Sequence, residues 1–142
     1  YVLDETIELK NIIRKVAEHK KMVPFAVNNP LEYDNSKPLQ ERIKPSVETW
    51  LRGFYDAEFV LTDSFHACAF SIIFKKQFVV MGNKKRGMSR FESLLKMFEL
   101  EDRLVNKETK INCLKDIDYD RVYSKYNHLK DESLSFLTKY LQ

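Results

Sequence analysis

The chain has 142 residues, the size of one ordinary domain with a single hydrophobic core. Its 24 basic and 21 acidic residues leave a net charge of +3, too balanced to indicate an electrostatic nucleic-acid binder. No apolar run reaches the roughly 18 residues of a membrane span. Two cysteines without a signal peptide favour a reducing cytoplasm, or the inner face of the membrane, and the Cys and His spacing predicts no metal site.

The N-terminal third predicts two strands, one helix and a long loop. Residues 1–4 form a short apolar run, and apolar residues then recur at helical spacing within 9–17, ahead of a basic helix end. Residues 23–27 predict a second strand. Residues 28–45 are rich in Asn, Pro and Asp and predict a loop of the length that is often functional.

The middle of the chain alternates between helix and strand. Ser46 is placed as an N-cap before apolar residues at helical spacing in 47–54. Residues 59–61 predict a strand, and 65–74 are too long an apolar run for a typical strand, so they predict a helix buried on most sides. Residues 78–81 predict a fourth strand.

The C-terminal part begins with a helix-start signal. Ser89 and Glu92 form a capping box, which places the start of a helix at Ser89. Residues 103–105 predict an edge strand. Apolar spacing in 119–141 predicts a long helical segment, either continuous or broken near 127–130.

This alternation predicts the fold class. Short, continuously apolar strands separated by helices indicate an α/β fold, a Rossmann-like parallel sheet with helices on both faces, formed by residues 1–142 as one domain. Ligands of such sheets bind beyond the carboxyl ends of the strands. Those ends carry Asn28 and Asn29, the segment 62–66 and the basic segment 82–86.

The segment LTDSFHACA places Asp63 at a strand end and His66 in the first turn of a helix. A helix N-terminus favours anions and disfavours imidazolium, which makes His66 a candidate proton carrier beside a bound phosphate or carboxylate. The alternative for His66 is a core histidine held by one hydrogen bond. The alternative for Asp63 is a helix cap or turn residue.

The segment NKKRGMSRFESLL places Arg86 and Arg90 around Gly87. Guanidinium groups suit bidentate recognition of phosphate and carboxylate, and a glycine lets the backbone approach a ligand closely. The segment therefore predicts either an anion clamp or a solvated basic loop.

These two segments, in this order, resemble the polysaccharide pyruvyl transferase family. The resemblance is clearest over residues 46–105, through TDSFHA, FVVMGN and RGMSRFESLL. Residues 1–45 match mainly in element order, and the last 35 or so residues hardly match. The resemblance implies a two-domain architecture similar to glycosyltransferases of the B type, in which this chain is the C-terminal, donor-binding half. The start at Tyr1 without an initiator Met fits that expectation.

The resemblance implies the transfer of pyruvate from phosphoenolpyruvate, as a ketal, onto two hydroxyls of a glycan or lipid-linked sugar. Such sugars belong to bacterial capsule, exopolysaccharide or cell-wall polymers, and the chemistry implies no metal or organic cofactor. His66 is expected to be the general acid or base, and Asp63 to orient it or to accept a sugar hydroxyl proton. Asn28 and Asn29 are expected to line the pocket. The groups expected near the donor phosphate and carboxylate are Arg86, Arg90, Ser64, Ser89 and Asn83.

One position departs from the family pattern. Many relatives carry Arg where this chain has Ser64, so any anion binding by that Arg passes here to Arg86 or Arg90. Two other functions stay open. One is a glycosyltransferase with a nucleotide-sugar donor. The other is a non-catalytic ligand-binding module, such as a receiver-like domain, although Gly82 and Asn83 lack the hydroxyl that a receiver site needs.

Overall fold

The computed structural model describes residues 1–29, 31–82 and 87–141. Its helices and strands, in chain order, are α1 (Ile7–Lys20), α2 (Val47–Asp56), β1 (Phe59–Thr62), α3 (Phe65–Ile73), β2 (Gln77–Met81), α4 (Met88–Met97), β3 (Leu104–Val105) and α5 (Tyr119–Tyr140). Short 3-10 helices lie at Leu39–Arg42, Glu101–Arg103 and Ile111–Cys113.

The three described strands form one parallel sheet in the order β1-β2-β3. Val60 is paired with Phe78, and Val80 with Leu104. Helix α3 connects β1 to β2, and α4 connects β2 to β3. The α/β class with a parallel sheet flanked by helices is therefore confirmed, and it is consistent with a Rossmann-like fold.

The core lies around the central strand. Phe78, Val79 and Val80 of β2 are fully buried, so both faces of this strand are covered. Cys68 from α3 and Leu95 from α4 are also fully buried. Burial raises the pKa of the Cys68 thiol to about 12, which makes it a poor nucleophile at neutral pH.

Several predicted elements are confirmed with their caps. The Thr6 hydroxyl accepts the Leu9 amide at 3.1 Å at the start of α1. The Ser46 hydroxyl accepts the Thr49 amide at 3.2 Å at the start of α2, as the sequence predicts. The edge strand near Val105 is also present, as β3.

The predictions of strands at residues 1–4 and 23–27 were wrong. Residues 1–4 and 23–27 are irregular. The Tyr1 nitrogen donates to the Leu61 carbonyl. The Leu3 and Asp4 amides, however, donate to the Asp63 side chain and not to the backbone of a neighbouring strand. Within 23–27, Pro24 has no N–H to donate, and Val23 is 90 % exposed.

In the C-terminal half, the predicted start of α4 needs correction, whereas the predicted long C-terminal helix is confirmed. Helix α4 begins at Met88 with Gly87 as its N-cap, so Ser89 is the second helical residue and not the cap. Gly87 has φ +90°, a conformation that turns the chain into the helix before Ser89 is reached. Helix α5 is continuous through residues 127–130, so the possible break there is absent.

Candidate functional site

The β1–α3 turn builds the first part of the site. The Thr62 hydroxyl, fully buried, accepts the Ser64 amide at 3.0 Å. Ser64 is the N-cap of α3, without a hydrogen bond from its side chain to the helix. The first helical bond runs from the Cys68 amide to the Ser64 carbonyl at 3.0 Å. The amides between these two residues therefore have no acceptor within α3, which is the arrangement that suits an anion.

His66 is the second residue of α3, and its side chain is exposed. Its ring meets the half-buried ring of Phe65 edge-on, with the ring centroids 6.0 Å apart. The structure thus excludes a histidine sealed in the apolar interior. An exposed imidazole beside the carboxyl end of β1 is able to exchange protons with a bound molecule.

Arg90 lies on the same aromatic ring. Its guanidinium carbon is 5.4 Å from the centroid of Phe65, a cation–π distance. Arg90 is the third residue of α4 and is exposed. The His66 ring and the Arg90 guanidinium therefore share Phe65 as a neighbour, and we call these three residues the Phe65 cluster.

Phe65 was missed by the sequence reasoning, which treated it as one more apolar residue of a buried helix. Its ring also packs edge-on against Phe91, with the centroids 6.1 Å apart, so Phe65 links the first turns of α3 and α4. The available signal was an aromatic residue directly before His66. That signal does not by itself reveal which cation the ring will meet.

Asp63 points away from solvent and is 4 % exposed. Its Oδ1 accepts the Leu3 amide at 2.7 Å and its Oδ2 accepts the Asp4 amide at 3.0 Å. Both carboxylate oxygens thus hold the N-terminal segment against the turn. A catalytic role for Asp63 stays a prediction, beside this observed structural one.

Of the remaining predicted donor contacts in the basic segment, only Ser89 lies within the described residues. Ser89 is exposed on the first turn of α4. Asn83 and Arg86 lie outside the described residues, so their predicted contacts stay predictions.

The two asparagines of the long loop have different surroundings. The Asn29 amide donates to the carbonyls of Glu41 at 2.8 Å and Ile43 at 3.0 Å, and its oxygen accepts the Leu31 amide at 2.9 Å. The Asn29 side chain therefore links the two ends of the loop formed by residues 29–43. Asn28 is half-buried and lines a cavity.

That cavity has a volume of about 640 Å³ and lies between α1, residues 22–28, α2 and β1. Its walls are mainly apolar, and Lys10, Lys21 and Glu58 are among its polar lining groups. His66 and Arg90 do not line it. This cavity is therefore separate from the Phe65 cluster.

Two further findings concern metals and membranes. Among residues 1–29, 31–82 and 87–141, no three His, Cys, Asp or Glu side chains gather as a metal site requires. No helix in the described part of the chain is both long and apolar enough to cross a bilayer.

The parallel α/β sheet flanked by helices is consistent with the Rossmann-like class, in which ligands bind beyond the carboxyl ends of the strands. The family model for polysaccharide pyruvyl transferases matches residues 6–85, more than half of the chain. The chain belongs to this family, which is a family of transferases and links it to pyruvyl transfer onto polysaccharide. No curated protein and no solved structure matches it.

The matched range differs from the range in which the resemblance is clearest by sequence. It begins at residue 6 and so includes α1, which the sequence reasoning matched mainly by element order. It ends at residue 85, before RGMSRFESLL and therefore before Arg90. The matched range therefore includes His66 but neither Arg86 nor Arg90.

Proposed function

We propose that this chain is the donor-binding, C-terminal half of an enzyme that transfers pyruvate from phosphoenolpyruvate onto two hydroxyls of a sugar. The sugar belongs to a bacterial surface polysaccharide or to its lipid-linked precursor, and transfer takes place on the cytoplasmic side. The observation that carries the proposal is the Phe65 cluster, in which an exposed His66 and the Arg90 guanidinium flank one ring. The family supports transfer onto polysaccharide in general.

The donor carries two anionic groups, a phosphate and a carboxylate. The first-turn amides of α3 and the guanidinium of Arg90 are both suited to such groups. Ser64 carries no charge, so the cation that many relatives have at that position is supplied in this proposal by Arg90 and by Arg86. Phe65 contacts both the His66 ring and the Arg90 guanidinium, and in this proposal it positions the guanidinium toward the donor.

The reaction needs one proton and two oxygen nucleophiles. His66 donates a proton to the methylene carbon of the enol phosphate, and a sugar hydroxyl adds to the neighbouring carbon and gives its own proton back to His66. The second hydroxyl then displaces phosphate and closes the ketal, and its proton leaves with the phosphate. Arg90 and the helix amides stabilise the negative charge that builds on the departing phosphate. The acceptor sugar lies between this domain and the preceding N-terminal domain.

Donor binding by the chain itself tests this proposal. Phosphoenolpyruvate at about 100 times its Kd is expected to stabilise the folded chain by about 2.7 kcal/mol, read as a rise in Tm. Arg90→Ala should remove most of that rise. Lys96→Ala is the matched control, because Lys96 is an exposed cation on the same helix, and it should keep the rise. Stabilisation by nucleotide sugars and not by phosphoenolpyruvate would contradict the proposal and favour a glycosyltransferase instead.

A further inference from the structure

The C-terminal half of α5 continues an apolar helix face beyond the body of the domain. In the first half, Val122 is buried, and Tyr126 and Leu129 pack against the core cluster. Steps of three and four residues carry the same face on to Phe136 and Tyr140. Every residue from 131 to 141 is exposed. The apolar face that packs α5 against the core therefore extends beyond Leu129 into a part of the helix that is exposed.

This extension is a continuous patch. The rings of Phe136 and Tyr140 are in contact, with centroids 4.7 Å apart. The large apolar side chains on it and their exposed fractions are Leu134 53 %, Phe136 63 %, Leu137 49 %, Tyr140 65 % and Leu141 80 %. Contiguous apolar surface of this kind marks an interaction site, whereas scattered exposed apolar residues do not. We call residues 131–141 the α5 extension.

The charges beside the patch point to the occupant. Glu132 and Lys139 are two helical turns apart, so both lie along the same edge of the apolar face. A two-fold axis between residues 135 and 136 would place Glu132 of one helix at the height of Lys139 of an antiparallel copy. The same axis places Leu134 opposite Leu137. By symmetry each of these pairs occurs twice.

We propose that the α5 extension is a self-association surface, which pairs antiparallel with the α5 extension of a second copy of this chain. The inference rests on the exposed face and its charge order, and it is independent of the proposed function. The surface is short, about 15 Å of helix, which is less than a standard permanent interface provides. The dimer is therefore weak and concentration-dependent, with a Kd on the order of tens of micromolar.

Sedimentation equilibrium of the chain over a range of concentrations tests the pairing. The wild-type chain should pass from monomer to dimer as its concentration rises. Glu132→Lys should weaken the dimer about tenfold, because both ion pairs become repulsions. Adding Lys139→Glu to that variant should restore wild-type affinity. Leu137→Glu should give a monomer, whereas Ser135→Glu, on the opposite side of the helix, should leave the dimer unchanged.

Circular dichroism separates loss of pairing from loss of fold, since these positions are exposed and the variants should keep the wild-type helix content. A chain that is monomeric at every concentration would overturn the proposal and leave the patch to a different partner. A double charge reversal that fails to restore the dimer would overturn the antiparallel register.

Discussion

At the scale of single residues, Asp63 and Phe65 connect segments that are far apart in the chain. Asp63 accepts two backbone amides from residues 3 and 4, about 60 positions earlier in the sequence. Phe65 contacts His66, Phe91 and Arg90. The placement of His66 therefore depends on two neighbours that immobilise the turn between β1 and α3.

Replacing Asp63 with Ala should reduce the stability of the fold. The change leaves the Leu3 and Asp4 amides without their acceptors, and hydrogen bonds to a charged group are worth about 1.5–3 kcal/mol each. We expect the free energy of unfolding, measured with urea, to fall by about 3 kcal/mol. Asp120→Ala, an exposed carboxylate at the start of α5, is the control and should change little. A loss for Asp63→Ala no larger than the control's would mean that these two bonds do not hold the segment.

The same residues show which parts of the site could be predicted from the sequence. His66 was recognisable because its position in the first turn after a strand is a local feature of the sequence. The contact between Phe65 and Arg90 was not, because it depends on how closely α4 approaches α3. Asp63 was recognised as a polar residue at a strand end. Its hydrogen-bond partners could not be predicted, because they lie in residues 1–4, which were expected to form a strand.

At the scale of elements, hydrogen-bonding side chains dock the C-terminal segment onto the sheet. The Gln77 side chain donates to the Ile117 carbonyl at 3.2 Å and accepts the Ile117 amide at 2.8 Å, so it pairs like a strand residue. The Tyr119 hydroxyl donates to the carbonyls of Lys76 and Ser71, and the Tyr123 hydroxyl to that of Ile73. These bonds fix the start of α5 at the end of α3.

Tyr119 gives this docking a pH dependence. Burial raises the pKa of the Tyr119 phenol above its usual value near 10. The folded state thus favours the neutral phenol, so its contribution is complete below about pH 10 and falls as pH rises, because the unfolded chain ionises first. Tyr119→Phe should cost about 1 kcal/mol at neutral pH.

The Tyr119→Phe variant should also lose less stability than wild type between neutral pH and about pH 11, as urea unfolding at both values will show. Tyr140→Phe, at an exposed position, should behave like wild type. An identical alkaline loss in Tyr119→Phe would assign the pH dependence to another group.

The elements that were predicted correctly share strong local signals. The caps of α1 and α2 and the apolar run of β2 are encoded within a few residues. Residues 23–27 carry an equally apolar pattern, but a strand needs a partner. Pro24 removes one donor, and in the other segment Leu3 and Asp4 give their amides to the Asp63 side chain instead of to a strand. Periodicity reports burial tendency and does not report which backbone groups will be free to pair.

At the scale of the whole molecule, the alternating pattern was enough to predict a parallel α/β sheet with polar residues at its carboxyl edge. It did not predict the cavity of about 640 Å³ between α1 and β1, since a hollow depends on distances between elements. The Phe65 cluster and this cavity are separate places, because none of the three cluster residues lines the cavity. We assign the chemistry to the cluster.

The most direct test of that assignment is turnover by the complete enzyme with its sugar acceptor, followed as phosphate release from phosphoenolpyruvate. His66→Ala should lower the rate on the order of 100-fold or more, with an unchanged Tm, because the imidazole is the proton carrier that we propose and its side chain is exposed, not packed in the core. His128→Ala, which removes another exposed histidine, should keep the wild-type rate. Wild-type turnover by His66→Ala would contradict the account.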